Sequence, residues 1–238
     1  MKTYLLKNNY PVTDMIKNRI FYLKVIMLFS ILAAPVVQAH SVYFEETENG
    51  LVIRFGEFQG DHEESPGYLD QLSSVNAWTL EKEGKLKYLT TTKIKQGFNL
   101  DVSANESIVA QTGFPVMARD NNPGRKPNFY ARWIPNFTSK IDPSMNLDII
   151  PIGVKGKVQV LFRGQPLPNT DATLYFPDAT EQKFTSDIKG IINFKINPKV
   201  TGIYMLKVAR YSEELKGFDR GVGYAVISHN CSLTWRQN

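Results

Sequence analysis

Cysteine is almost absent. Cys231 is the single thiol among 238 residues, so no internal disulfide can form, and no cysteine stands where an exported chain would carry a lipid. Long apolar runs are missing too: a membrane span needs about 18 or more uninterrupted residues, and Lys24 and Pro35 bracket a shorter stretch. No G-x-S-x-G, H-E-x-x-H or Walker sequence occurs, which removes the common hydrolase and nucleotide-binding signatures. Nor does any segment keep a helical repeat beyond a turn or two, which excludes a helical fold. The charge excess is local. Of 28 basic and 23 acidic residues, positions 1–39 hold five and one, leaving 23 against 22 and no electrostatic case for nucleic acid.

What is present at the start reads as an export signal. Lys17, Arg19 and Lys24 form a basic region, residues 25–37 an apolar core, and Val37-Gln38-Ala39 an A-x-A-like cleavage site. Met15 is then a candidate start codon, residues 1–39 the removed segment, and His40 the first residue of a soluble, periplasmic chain with no transmembrane anchor. A terminal histidine places an α-amine beside an imidazole. Both lose their protons near neutrality, so one residue can chelate a transition metal through two nitrogens.

Beyond His40, short alternating apolar runs predict an all-β chain of two β-sandwich-like domains, over 40–133 and 147–238. Residues 134–146, with Pro135 and Pro143, are the expected linker. In the first domain, strands are expected near 75–80, 87–94, 98–102, 108–112 and 129–133, a helical turn over 68–72 and a long loop over 119–127. In the second they are expected at 158–162, 172–176, 191–196, 203–208 and 223–235.

The three histidines are the candidate metal ligands. A hairpin centred on Asn49-Gly50 would pair Glu45 with Arg54, Phe44 with Phe55 and His40 with Gln59, bringing His40 near His62 at one hairpin end. Asp61, Glu63 and Glu64 surround His62 and could ligate a metal or orient an imidazole. His229 falls on the apolar face of the last strand, with Ile227, Cys231, Leu233 and Trp235. A hydrogen-bonded core histidine is the simpler explanation of that placement taken by itself, and a ligand the alternative.

Ala39-His40, Phe55-Gly56-Glu57 before Ser65-Pro66-Gly67, Tyr130-Ala131-Arg132, Leu147-Asp148-Ile149-Ile150-Pro151, Val160 through Leu167 and Ser232-Leu233-Thr234-Trp235 together resemble the periplasmic domain-of-unknown-function family 4198. That family is associated with nickel and cobalt uptake. Gly164 through Gly190 to Gly202-Ile203-Tyr204 is also similar to the prealbumin-like fold of carboxypeptidase regulatory domains. The resemblance implies a periplasmic protein that binds or carries nickel or cobalt, anchored at His40, and that serves a membrane transporter or outer-membrane receptor. Copper is the alternative cargo, because an amine with an imidazole suits Cu²⁺. Two further alternatives are a copper-brace oxidative enzyme and a metal-free structural module, with a non-enzymatic role expected first.

Overall fold

A computed structural model describes residues 40–80, 85–118, 124–137 and 140–238. The export signal and its cleavage site lie outside them, as does most of the expected 119–127 loop. Sixteen strands follow in order: β1 Ser41–Thr47, β2 Gly50–Gly56, β3 Asn76–Leu80, β4 Leu86–Leu89, β5 Thr91–Ile94, β6 Gly97–Leu100, β7 Ile108–Gly113 and β8 Arg125–Trp133, then β9 Leu147–Pro151, β10 Lys157–Phe162, β11 Gln165–Pro166, β12 Asp171–Tyr175, β13 Glu181–Thr185, β14 Ile191–Asn193, β15 Gly202–Asp219 and β16 Val222–Gln237. A 3-10 turn at Tyr68–Gln71 sits where one helical turn was expected. Among the described residues no helix is long and apolar enough to cross a membrane.

The strands build an all-β, sandwich-like architecture around an eight-stranded sheet of order β13-β12-β15-β16-β8-β7-β3-β4. A four-stranded sheet, β1-β2-β6-β5, packs on one face, and β10 with β9, β11 and β14 packs on the other. Period-2 alternation explains both layers. On β8, Phe129, Ala131 and Trp133 meet Val42, Phe44, Leu51, Ile53 and Phe55 of the first outer sheet. Tyr130, one residue out of phase, joins Leu147, Ile149, Val158 and Val160 of the second.

The two expected domains therefore share a sheet. β8 and β16 pair in parallel, Arg125–Trp133 alongside Val226–Thr234, and all described residues fall in one compact unit. The described part of the expected linker, 134–137 and 140–146, is not a solvated tether. Ile134, Phe137 and Met145 are buried in the core, and the Ile134 amide donates to Thr234 O at 3.1 Å. A parallel pairing between distant segments leaves no turn signal in the sequence, which is why two prolines looked like a boundary. The expected loop over 119–127 is also shorter than its composition suggested, because Arg125, Lys126 and Pro127 already belong to β8. Pro127 fits because the ladder takes its carbonyl, which accepts from Phe114 N at 2.9 Å.

Buried on both faces from Ser228 to Trp235, β16 is the organising strand. One side carries Cys231, Leu233 and Trp235 into the larger core. The other carries the small polar residues Ser228, Asn230, Ser232 and Thr234, whose side chains bond neighbouring groups: Ser232 Oγ donates to Val42 O at 2.7 Å and Thr234 Oγ1 to Arg132 O at 3.2 Å. Short, satisfied side chains let β1 approach closely without leaving buried polar atoms unpaired.

Candidate functional site

The hairpin register that sets the site differs from expectation by one loop residue. Glu48-Asn49 form the two-residue loop, so Thr47 pairs with Gly50, Tyr43 with Arg54 and Ser41 with Gly56. Gly50 adopts φ +111°, and a side chain there would stand 3.0 Å from Leu100 O of the neighbouring strand. Glycine at this position thus serves the approach of β6 rather than the turn. Moving the loop by one residue shifts every pairing by two, which preserves the faces. The expected charge pair survives as a diagonal one, Arg54 Nε donating to Glu45 Oε2 at 2.5 Å.

After Gly56 the chain reverses in a tight turn, Glu57 N bonding Asp61 O at 3.0 Å and Gly60 N bonding Glu57 O at 3.2 Å. It then runs back beside β2. Gly56 bridges His62, and Glu63 N donates to Phe55 O at 2.8 Å. Gly56 is required for this return: its φ is +147°, and a Cβ there would lie 2.4 Å from Asp61 O. What reads in sequence as a solvated loop is pinned to the sheet.

Alternation now decides which histidine sees what. His40 shares a face with Val42 and Phe55, and its ring packs 5.4 Å from Phe55 and 6.3 Å from Tyr68. Glu63, beside Phe55, reaches the same side and accepts from His40 Nε2 at 2.5 Å. With Nε2 donating, Nδ1 is the ring nitrogen that carries the lone pair, and the side chain is 41% exposed. His62 lies on the opposite face. Its Nε2 donates to the Tyr43 hydroxyl at 2.7 Å, which in turn donates to Glu57 O at 3.0 Å. Burial, reinforced by the nearby Arg54 charge, pulls the His62 pKa below the usual imidazole value, although Glu45 and Asp61 oppose it. Burial likewise raises Tyr43.

His229 is elsewhere. It sits on the face of the central sheet turned away from His40 and is 2% exposed. A one-residue bulge between Val208 and Tyr211, where Arg210 takes φ +57° and its amide bonds Asn230 Oδ1 at 3.0 Å, sets Tyr211 opposite His229. Tyr130 donates to its Nδ1 at 3.0 Å, and its Nε2 contacts Glu213 Oε2 at 3.1 Å. Tyr130 also stacks on the ring at 5.8 Å. Desolvation lowers the His229 pKa, with Glu213 opposing. Both ring nitrogens are engaged, so His229 is a hydrogen-bonded core histidine.

The structure thus brings His40 and His62 to one hairpin end but on opposite faces, and leaves His229 across the central sheet. Among the described residues no group of three or more His, Cys, Asp or Glu side chains is placed to hold a metal. The side chains that sequence reading did not assign are Tyr43, Tyr68, Tyr130 and Glu213. Only Tyr43 carried a signal, by standing three residues from His40 and so on the other face of β1. The chain matches no family model and no curated protein.

Proposed function

We propose that the chain is an exported carrier of a divalent transition metal, nickel or cobalt, with copper the competing cargo, and that it grips the ion through His40 alone. The observation that carries this reading is the Glu63–His40 hydrogen bond of 2.5 Å on a ring set against Phe55 and Tyr68. A carboxylate on Nε2 fixes the tautomer and the ring orientation, the arrangement that metal-bound histidines commonly have. Cleavage after Ala39 would add the α-amine, closing a six-membered chelate with Nδ1. Two protein donors leave the remaining coordination positions to water or to a partner, which suits an ion that must be handed on to a transporter. A copper brace would need a second imidazole facing the first, whereas His62 points to the other side of the hairpin.

The test compares protein starting at His40 with protein retaining Ala39. Calorimetric titration with Ni²⁺, Co²⁺ and Cu²⁺ is expected to show tight binding only for the first. Equal affinity for both forms would exclude the amine as a ligand, and affinity unchanged in His40→Ala and in His62→Ala would leave the structural-module reading. Mass spectrometry of the exported protein, finding any first residue other than His40, would overturn the proposal outright.

A further inference from the structure

On the side of the central sheet that carries β9 and β10, Val109 and Trp78 are covered, but the Asn76–Gln111 end of β3 and β7 and the neighbouring β4 are left exposed, and a groove runs over them. Three adjoining hollows of about 320, 360 and 350 Å³ form it, and Gln111 lines all of them. Its floor is a row of polar side chains set directly opposite one another, Asn76 on β3, Gln111 on β7 and Tyr130 on β8. Tyr130 is fixed in place: its hydroxyl bonds His229 Nδ1 at 3.0 Å, and the Asn128 and Asn146 side chains bond it as well.

Charge at the groove is already spent. Lys126, at one end, pairs with Asp219 at 2.7 Å, and Arg163, at another, pairs with Glu213 at 2.6 Å. An anionic ligand would have to compete with those carboxylates. Amides and hydroxyls, by contrast, offer donors and acceptors together, matching a ligand made of hydroxyl groups. The third hollow adds an apolar surface, because Tyr88 is 72% exposed there beside Leu86. Trp78 lies behind Tyr88 with the rings 6.4 Å apart, and among the described residues its buried indole N–H has no partner. An exposed aromatic face next to a row of amides fits the two sides of a pyranose, C–H on one and O–H on the other.

We propose that this groove binds a neutral oligosaccharide, with Gln111 hydrogen-bonding its hydroxyls and Tyr88 stacking on a sugar ring. The site is separate from His40 and stands whether or not the chain carries metal.

The probes are cellohexaose, maltohexaose and chitohexaose, with a heparin hexasaccharide as the anionic comparison, each titrated by calorimetry. At least one neutral hexasaccharide is expected to bind. Gln111→Ala and Tyr88→Ala should each weaken it about tenfold, and Tyr88→Phe should keep most of the affinity. Both positions are exposed, so an unchanged urea midpoint separates lost binding from lost folding. Failure of every neutral sugar to bind at about 10 mM, binding of heparin alone, or affinity unmoved by both alanine variants would each overturn the proposal.

Discussion

Arg132 on β8 and Asp148 on β9 form a two-point ion pair, Nε to Oδ1 at 2.9 Å and Nη2 to Oδ2 at 2.6 Å, at essentially zero exposure. Ser144 completes it, its hydroxyl accepting from Arg132 and its amide donating to Asp148, each at 2.9 Å. The pair fastens the second outer sheet to the central one at either end of the 134–146 segment.

Removing one partner leaves the other charge buried and alone. Asp148→Ala should therefore cost about 3–5 kcal/mol, read as a lowered urea midpoint, whereas the double variant Arg132→Met, Asp148→Leu should lose much less. Because both halves share the central sheet, wild type should unfold in one calorimetric transition. Two resolved transitions would show that the halves are independent.

Glu63 acts on His40 only through the ring. Glu63→Gln, which keeps the size of the side chain and removes its charge, should reduce metal affinity of the His40-starting protein by about 10–100-fold while leaving the urea midpoint near wild type. His229→Gln should do the reverse, lowering stability with metal affinity unchanged. Loss of metal binding in the His229 variant would return that residue to the candidate ligands.

Both His62 and His229 hold a proton less readily in the folded chain than in the unfolded one, chiefly through burial. The unfolded state then binds more protons in acid, so the stability contributed is full above about pH 6.5 and declines as pH falls below it toward the folded values. Urea midpoints taken from about pH 8 to about pH 5 should fall, and His229→Gln should flatten that fall. A rise in midpoint on acidification would contradict the assignment.

Gly56 is the pivot that returns residues 61–63 to the sheet. Gly56→Ala should cost about 1–3 kcal/mol, because the new Cβ meets Asp61 O in a backbone region that disfavours side chains. It should also weaken metal binding by moving Glu63. Unchanged values of both would mean that the return strand does not hold Glu63 in place.

Much of the fold was legible because its evidence is local. Alternation in 158–162 or 108–112 needs only its own residues, and those strands form within a residue or two of expectation. The faces at the hairpin were legible for the same reason, since a two-residue slip preserves them. What sequence could not carry was the parallel seam between β8 and β16, and with it the common sheet. Nor could it carry the separation of the histidines: proximity along a hairpin says nothing of which side a ring takes until the return past Gly56 is known. The apolar neighbours of His229 favour a core residue over a ligand without naming its partners, and it is the bulge at Arg210 with Tyr130 and Glu213 that supplies them.

Strand β16 also governs the order of events when the chain folds. Arg132 and Thr234 lie 102 positions apart yet are neighbours across the seam, so joining them closes a very long loop before any contact there can repay the lost entropy. Strands β8, β7, β3 and β4 can pair early through short connections, but one edge of that half-sheet stays open until residues 222–237 arrive. Until then β8 presents unpaired N–H and C=O groups beside a half-built core. Since β16 is already joined to β15 in a local hairpin, the expected slow step of folding is the docking of that hairpin onto β8, and a chain shortened before Ser228 should collect as an open-edged species that associates with its own kind.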